Sequence, residues 1–370
     1  MNPKYKKIYT CTPVAFHANK WFFIRDTGLI TRTLQAMGVE SKVIMPLPYY
    51  EDDSRDSLIR TEYAHLSSTE WWKSLQIDAL VLYSWGAPRY RKIAKAIRQA
   101  GIKLIIHVDT SGNFRPTFPP GTPLFRKIFT HLRIRLQDIL RSKHLSYADV
   151  LTMSEPVAKV ISSRLFYGKF IEEKCYPMPC PVAAHFNYEG QTKETRILAV
   201  GRWDDAVKRP QMLMDTLSHF YQLGGCAETM ICGPYGDDMK AWYHALPEET
   251  KKKITIKGPT DNTELRDLYC RSQIVICTSV SEGTHIVSAE ALCCGCSVVV
   301  SNRPRPLRNV LWYTCKNSGT ISEEDTPLSL AKALQHELSL WKNGERNPHF
   351  IADTWQPCFR IDKAFNNILK

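Results

Sequence analysis

The chain has 370 residues, of which 44% are hydrophobic and 23% are charged. This length suits two domains that each bury a core, and the composition is that of a globular protein rather than a disordered or fibrous one. No run of about 18 apolar residues occurs, and the start "MNPKYKKIYTCTPV" is basic without an apolar segment, so we expect neither a membrane-spanning helix nor a secretory signal peptide. We therefore expect a cytoplasmic protein.

The net charge of +12 is unevenly distributed along the chain. Residues 1–185 contain 27 Lys and Arg against 15 Asp and Glu, whereas residues 186–370 contain 22 of each class. The excess of positive charge in the first half predicts that this half contacts a binding partner. The twelve cysteines are scattered, and "CCGC" at 293–296 has no second cluster at zinc-like spacing, so we predict reduced thiols and no metal site.

In the first half, short apolar runs alternate with amphipathic stretches, a pattern typical of a parallel sheet covered by helices. The predicted strands are "KIYTCTPV", "SKVIMPL", "IDALVLYS", "KLIIHVD" and "DVLTMS". Helices are predicted at 26–37, which stops before Gly38, and at 88–100, which starts with Pro88 and stops before Gly101.

Residues 122–143, "TPLFRKIFTHLRIRLQDILRSK", form a further predicted helix in which Arg and Lys are interleaved with Leu, Ile and Phe. This pattern is typical of an amphipathic helix lying on an anionic membrane surface. The alternative is an ordinary helix that packs its Leu and Ile inward and leaves its arginines in water. The first interpretation would make the protein peripheral on the inner face of the membrane.

The second half repeats the alternation, with predicted strands "TRILAVG", "ETMICGP", "KITIKGP", "QIVICTS" and "CSVVVSN". The segment 175–195 is rich in proline and then polar, as linkers are. We predict an N-terminal Rossmann-like domain over 1–180, a linker over 181–194 and a C-terminal domain over 195–349. A closing helix at 350–370 is expected to pack back on the first domain.

Cationic residues follow the strand "TRILAVG" directly. Gly201 and Arg202 lie at its carboxyl end, where ligands collect in open α/β sheets, and Lys208 comes shortly before a predicted helix at 210–222. Two cations in this position can flank a diphosphate as charge-assisted donors. A solvated basic loop is the alternative.

Two glutamates bracket the next loop and helix, in "SVSEGTHIVSAEALCCGCSVVV". Glu282 precedes the helix, Gly283 and Thr284 offer backbone N–H groups at its start, and Glu290 lies about two turns in. Carboxylates accept hydrogen bonds from hydroxyl groups, while amides and cations bind phosphate. A nucleotide-sugar therefore fits, with Glu290 on the ribose and Glu282 on the sugar. Two solvated glutamates on a surface helix are the alternative.

This segment resembles the Glu-x7-Glu motif of retaining glycosyltransferases with the GT-B fold, and "VGRWDDAVK" resembles the donor-phosphate motif of the same group. The resemblance implies an α/β protein of two facing Rossmann-like domains with a central cleft, in which the C-terminal domain binds the donor. It also implies that Gly258, in "KGP", lies near the nucleotide base. The likeness extends over about 195–300 and more loosely to 146–161.

The chain departs from the family at two places that concern the site. His285 follows "EGT" where a proline or glycine is usual, so it is expected to donate to the diphosphate, to act as a gate or to pack as a core residue. At the end of the strand "KLIIHVD", where relatives carry a histidine close to the sugar, this chain has Asp109, with His107 two residues earlier. We expect one of these two to face the reacting sugar; a carboxylate that caps the following turn is the alternative.

The predicted function is transfer of a hexosyl group from a nucleotide-diphosphate sugar to a glycan or lipid-linked acceptor, in polysaccharide or glycolipid synthesis. No Asp-x-Asp occurs, so we expect no metal and no other cofactor. An epimerase or phosphorylase of the same shape, a non-catalytic donor-binding protein and a nucleic-acid-binding protein are the alternatives. Nucleic acid is disfavoured because the bases do not alternate with exposed aromatics, and a dehydrogenase because no G-x-G-x-x-G follows a strand.

Overall fold

The computed structural model describes residues 5–108, 118, 121–164, 172–279, 282, 284–302 and 309–369. The chain divides into two compact units, the first made of 1–183 and 359–370 and the second of 184–358. The predicted division placed a linker at 181–194 and returned the segment 350–370 to the first domain. In the structure the chain passes between units at Ala183 and again at Cys358.

The described part of the first unit contains a seven-stranded sheet in which every neighbouring pair is parallel. Its order is β3-β2-β1-β4-β5-β6-β7. The bounds are β1 Ile8–Cys11, β2 Val43–Pro46, β3 Leu58–Thr61, β4 Ala79–Tyr83, β5 Lys103–Val108, β6 Val150–Met153 and β7 Cys175–Pro177. The central strands β1, β2 and β4 are buried along their whole length, as expected for a sheet with both faces covered.

Helices cover this sheet and contribute apolar side chains to its core. They are α1 Asp26–Ala36, α2 Thr69–Ser74, α3 Arg91–Gln99, α4 Leu124–Ser146 and α5 Glu155–Arg164. Helix α2 begins where it does because the Ser68 side chain accepts a hydrogen bond from the Trp71 N–H and so caps the start of the helix. Trp72 is fully buried and its indole N–H donates to the Leu66 carbonyl at 2.8 Å, so its one polar atom is satisfied inside the core.

The described part of the second unit contains a six-stranded parallel sheet of order β10-β9-β8-β11-β12-β13. Its strands are β8 Glu194–Val200, β9 Glu228–Cys232, β10 Ile254–Gly258, β11 Ser272–Cys277, β12 Ser297–Val300 and β13 Gly319–Ile321. Its helices are α6 Pro210–Gln222, α7 Asp237–Ala245, α8 Glu248–Lys251, α9 Asn262–Arg271, α10 Ile286–Cys293, α11 Asn309–Trp312, α12 Pro327–Lys342 and α13 Pro348–Phe359. Two Rossmann-like units are therefore confirmed.

Three strands were not predicted: β3, β7 and β13. Each lies at an edge of its sheet and pairs with a single neighbour, so none requires the long apolar run that marks a central strand. Strand β7 lies within 175–195, the segment predicted as a linker.

The predicted closing helix is two helices. Helix α13 ends at Phe359 and α14 spans Ile361–Ile368, separated at Arg360, whose backbone is extended. Helix α14 returns to the first unit, where Ile361, Phe365 and Ile368 are buried in a cluster with Ile8 and Ile30.

None of the helices in the described ranges has the length and apolar character needed to cross a membrane.

Candidate functional site

The second sheet reverses its winding direction between β8 and β11. From β8 the chain moves outward to β9 and β10, and it then returns to the other side of β8 for β11, β12 and β13. The loops that leave the carboxyl ends of β8 and β11 consequently diverge to opposite faces of the sheet. Ligands of open α/β sheets bind in the crevice that such a reversal creates. The predicted donor-binding residues lie largely in these two loops.

The loop after β8 starts with a close approach between two glycines. The Gly201 N–H donates to the Cys232 carbonyl at 3.1 Å, and a Cβ atom on Gly233 would come within 1.8 Å of the Gly201 oxygen. Gly233 also has a φ of +118°, which disfavours other residues. The indole N–H of the buried Trp203 donates to the same Cys232 carbonyl at 3.0 Å. The backbone at this edge is therefore fixed, and it holds the next side chains in place.

Arg202 extends from this fixed backbone into solvent. Its side chain is 70% exposed and pairs with Asp205 at 2.5 Å. The other oxygen of the Asp205 carboxylate accepts from the Val207 N–H at 2.9 Å and caps a short 3-10 turn at 206–208. Because its surface ion pair with Asp205 is weak, the exposed guanidinium can exchange that contact for one with a bound anion.

Lys208 and Glu282 connect the two loops. Lys208 Nζ lies 2.6 Å from Glu282 Oε1, and each side chain is only 15% exposed. The Thr278 hydroxyl, just past β11, donates to the Lys208 carbonyl at 2.6 Å. The loops after the two adjacent strands are thus joined by one ion pair and one hydrogen bond, directly at the reversal of the sheet.

Electrostatics keep Glu282 ionised. Burial by itself would raise the pKa of its carboxyl, but attraction to the protonated form of His285 and to the ammonium of Lys208 outweighs burial and lowers the pKa below its ordinary value of 4.5. Burial lowers the pKa of His285 to about 4, so this imidazole is neutral at pH 7. Lys208 is therefore the cation that balances Glu282 under physiological conditions.

His285 is packed inside the second unit at the start of α10 and is 2% exposed. Its Nδ1 lies 2.7 Å from the Ser288 hydroxyl and its Nε2 lies 3.6 Å from the Cys277 sulfur. Both ring nitrogens are thus engaged by neighbours on α10 and at the end of β11. These contacts connect the helix to the strand beneath the loop that carries Glu282.

Glu290 lies on α10 and is half-buried. The hydroxyl of Tyr269, a fully buried residue of α9, donates to its carboxylate at 3.3 Å. Burial, and then the nearby Glu290 carboxylate, raise the pKa of Tyr269 well above its ordinary value, so the phenol stays a donor. The hydrogen bond from the buried Tyr269 therefore fixes the orientation of one carboxylate oxygen of Glu290.

Gly258 ends β10 with a φ of +75°, and its carbonyl accepts from the Gly233 N–H at 2.6 Å. Gly258 therefore lies at the same carboxyl edge of the second sheet as Gly201. Thr284 is half-buried, directly before His285. Gly283 falls outside the described residues.

In the first unit, His107 is fully buried within β5. Its Nδ1 lies 2.9 Å from the Thr152 hydroxyl, its ring stacks on Tyr83 with centroids 4.5 Å apart, and burial lowers its pKa to about 3. A neutral imidazole held between strands belongs to the sheet interior at this position. Asp109, its predicted companion, lies outside the described residues.

Three supporting residues were not predicted from the sequence: Asp205, Thr278 and Tyr269. Asp205 could have been found, because it stands three residues after Arg202 in the same loop and has the residue type that caps a turn. Thr278 and Tyr269 act across 70 and 21 residues of sequence, so their partners become apparent only once the strand order is known.

Part of the chain is similar to a known protein family, and the whole chain is similar in fold to solved structures. Residues 194–339, within the second unit, match the family model Glycosyl transferases group 1. A sequence comparison with curated proteins returned no match.

Among solved structures, the lipopolysaccharide outer core galactosyltransferase WaaB in its apo form is similar over 98% of this chain and 99% of its own, with 16% identity and a TM-score of 0.64. HepE from Anabaena in complex with UDP is similar over 98% of both chains, with 11% identity and a TM-score of 0.63. The pneumococcal O-GlcNAc transferase GtfA in complex with UDP and GlcNAc is similar over 98% of this chain and 97% of its own, with 10% identity and a TM-score of 0.61. The fold is GT-B.

Within this GT-B fold, the carboxyl edge of the second sheet combines two kinds of group. Arg202 and Lys208 supply cations, and Glu282 and Glu290 supply carboxylates. Cations bind phosphate oxygens and carboxylates accept from hydroxyl groups, so the edge has the chemistry needed for a phosphorylated polyol.

Proposed function

We propose that the protein is a retaining glycosyltransferase that moves a hexosyl group from a nucleotide-diphosphate sugar to a glycan or lipid-linked acceptor. The observation that carries the proposal is the Lys208–Glu282 pair, which places a cation and a carboxylate side by side at the reversal of the donor-type sheet. The match of residues 194–339 to the group 1 glycosyltransferases supports the same activity. The similarity in fold to HepE and GtfA, which each form a complex with UDP, also supports it.

Each donor-binding residue has a role in this proposal. Arg202, which is exposed, and Lys208 bind the diphosphate, together with the backbone at Gly283 and Thr284 before α10. Glu290, oriented by Tyr269, accepts from the ribose hydroxyls.

Three other groups complete the donor site. Glu282 accepts from hydroxyls of the transferred sugar. Gly201 and Gly258 lie at the sheet edge that takes the nucleotide in this proposal: a Cβ on Gly201 would come within 3.3 Å of the Trp203 ring, and the φ of +75° at Gly258 disfavours other residues. His285 holds α10 against β11 and so positions the helix start.

In the proposed transfer reaction, the cations Arg202 and Lys208 contribute more to catalysis than a general base does. The bond from the anomeric carbon to the diphosphate oxygen breaks, a new bond to the acceptor oxygen forms on the same face of the sugar, and the acceptor proton passes to the departing phosphate oxygen. Charge grows on that phosphate in the transition state, and Arg202 and Lys208 stabilise it there. With two cations in this role, the proposal includes no metal and no other cofactor.

The decisive experiment incubates the protein with UDP-, GDP- and ADP-sugars, with and without a membrane extract as the source of acceptor. Nucleotide release that depends on the extract, with the anomeric configuration of the donor kept in the product, supports the proposal. Conversion of the sugar without an acceptor indicates an epimerase, and acceptor-independent exchange with phosphate indicates a phosphorylase. Turnover with none of the donors overturns the proposal.

The role of Asp109 in positioning the sugar stays a prediction, with His107 as its alternative. Asp109→Asn is expected to lower turnover while donor affinity is unchanged, since the carboxylate would act on the sugar rather than on the nucleotide. His107→Gln is the comparison, and its buried position predicts a loss of stability instead. Normal turnover in Asp109→Asn would remove this residue from the mechanism.

A further inference from the structure

Exposed apolar side chains are concentrated at one edge of the first sheet. Apart from the face of α4, every large apolar residue that is exposed in the described part of the first unit follows β1, β2 or β3. These residues are between 42% and 51% exposed, and we call them the edge cluster: Phe16, Trp21, Leu47, Tyr49 and Tyr63. All of them lie beyond the carboxyl ends of their strands, and the sheet reverses its winding direction at β1. Ligands of open α/β sheets bind at such an edge.

A buried ion pair fixes the two loops that carry most of this cluster. The side chains of Arg60 and Asp53 are fully buried, and both carboxylate oxygens accept from the guanidinium at 2.9 to 3.0 Å. The guanidinium also donates to the carbonyl of Phe16, in the loop after β1, and to that of Pro46, at the end of β2. Asp53 in turn accepts from the Ala18 N–H at 2.8 Å. Because a buried ion pair contributes little net stability, its main effect here is to hold the two loops in one arrangement.

A carboxylate next to these exposed rings has acceptor sites to spare. Asp52 Oδ1 lies 2.8 Å from His17 Nδ1, and the His17 ring stacks on Tyr50 with centroids 3.8 Å apart. Asp52 Oδ2 accepts from the Asn19 amide at 2.7 Å, and the Asn19 oxygen accepts from the Trp21 N–H at 3.0 Å. The hydrogen bond from Asn19, and then the one from His17, lower the pKa of Asp52, so this carboxylate is ionised at pH 7. A carboxylate has about four acceptor sites, so about two are left for hydroxyl groups of a ligand.

The charge of this edge disfavours an anionic partner. The segment 47–57 contains four acids and one base, although bases outnumber acids in this half of the chain. Three of those acids, Glu51, Asp52 and Asp56, are exposed, and so is Glu62 just after β3. The phosphates of a lipid or of a phosphorylated glycan would therefore meet like charge here.

Exposed rings beside a hydroxyl acceptor suit one class of ligand. A sugar ring has C–H groups on its faces and hydroxyl groups around its rim, so a face can pack on an aromatic ring while the hydroxyls donate to a carboxylate. We propose that this edge of the first unit binds an uncharged saccharide, which packs on Trp21 and Tyr49 and donates to Asp52. Lys20 and Arg55 lie 5.0 and 5.5 Å from the centroids of these two rings, and such exposed cation–π contacts are weak enough for a sugar to replace.

Saccharide binding at this edge is independent of the proposed function, since it rests on the first unit and involves no nucleotide. Only the identification of that saccharide as the acceptor rests on the proposed function. In that case the acceptor is a neutral glycan whose sugars contact the protein, rather than a carrier recognised through its phosphates. Loops that are already fixed lower the entropy lost when such a ligand binds.

The test applies the full chain, with a fluorescent label, to an array of neutral, phosphorylated and uronic-acid oligosaccharides in the absence of any nucleotide. The wild type is expected to bind members of the neutral set. Trp21→Ala and Tyr49→Ala should each lower the apparent affinity for those members about tenfold, because each removes one aromatic contact. Asp52→Ala should lower it about tenfold, because the hydroxyl groups lose a charged acceptor.

Matched controls come from the second unit. Phe350→Ala removes a ring of similar exposure (53%), and Glu248→Ala removes an exposed carboxylate, so both should bind the array as the wild type does. All five substituted positions are on the surface, so an unchanged thermal melt verifies folding. The variants of the first unit should also bind nucleoside diphosphates as the wild type does in a calorimetric titration, which separates a loss of saccharide binding from damage to the donor site.

Three array results would overturn the inference: a wild type that binds no oligosaccharide, a wild type that binds only the phosphorylated or uronic-acid set, and edge variants that bind as well as the wild type. Co-sedimentation with phosphatidylglycerol vesicles that is lost in Trp21→Ala would also overturn it, and so would a dimer that this variant converts to a monomer. A membrane or a second copy would then cover the edge.

The outcomes also separate this inference from the proposed function. Donor turnover without saccharide binding on the array would refute only the inference. Saccharide binding without turnover of any donor would refute only the proposed function.

Discussion

Glu282→Gln tests whether the Lys208–Glu282 pair competes with a diphosphate for one ammonium group. At pH 7 the carboxylate is ionised, because its pKa is lowered below 4.5. A diphosphate that binds Lys208 must displace this carboxylate, and the two anions also repel each other. Replacing Glu282 by its neutral amide should therefore strengthen the binding of a nucleoside diphosphate, although it removes a residue of the site.

The size of the effect follows from the geometry of the pair. At 2.6 Å and an effective dielectric constant near 20, the Coulomb attraction is about 6 kcal/mol. Both side chains are 15% exposed, and the cost of removing them from water offsets most of that attraction. We take a net coupling of about 1.5 kcal/mol, the low end of the values measured for close charge pairs at a protein interface, which corresponds to about a tenfold gain in affinity.

The assay is a calorimetric titration at pH 7 with UDP, GDP and ADP. Whichever nucleotide binds the wild type should bind Glu282→Gln about tenfold more tightly, whereas Lys208→Met should bind it about tenfold less tightly. The matched control is Asp325→Asn, since the neighbouring Arg209–Asp325 pair has the same separation of 2.6 Å and similar burial. Weaker or unchanged binding by Glu282→Gln would refute competition for Lys208.

Three further predictions concern single residues of the site. Arg202→Ala should weaken nucleoside diphosphate binding by about 1–2 kcal/mol in the same titration. Arg271→Ala, which removes another exposed arginine, is the control and should bind as the wild type does. Equal affinities of the wild type and Arg202→Ala would remove Arg202 from the site. Glu290→Ala should weaken donor binding by about 1–3 kcal/mol, and unchanged calorimetric affinity would exclude a ribose contact. In the folded protein the pKa of His285 is lowered from 6.5 to about 4, whereas in the unfolded chain it stays near 6.5. Because the unfolded chain binds this proton first, the protein should lose stability as the pH falls below 6.5, by about 3 kcal/mol in total near pH 4. Hydrogen exchange of β11 and α10 amides should show this loss in the wild type and a smaller one in His285→Gln, and identical pH slopes would contradict the assignment.

The central strands and the donor-side loops could be predicted because their signals are local. Apolar β-branched runs mark β8 and β11, and Gly201 with Arg202 follows one of them directly. Edge strands carry weaker signals, since a strand such as β3 pairs on one side only and includes the charged Arg60.

What could not be predicted depends on neighbours that are distant in sequence. Lys208 and Glu282 are 74 residues apart and meet only because β8 and β11 are adjacent in the sheet. The burial of His285 depends on Cys277 and Ser288, which together enclose the ring. For α4, the pattern of residues defined an apolar face, but only the packing of the first unit determines that this face stays in solvent.

The most direct measurement for the donor site is a crystal structure of the protein with the nucleoside diphosphate that binds it most tightly. Our account predicts the two phosphates at the carboxyl ends of β8 and β11, within hydrogen-bond distance of Arg202 and Lys208, with the ribose on Glu290. Phosphates bound elsewhere, or an intact Lys208–Glu282 pair beside a bound diphosphate that neither residue touches, would contradict it.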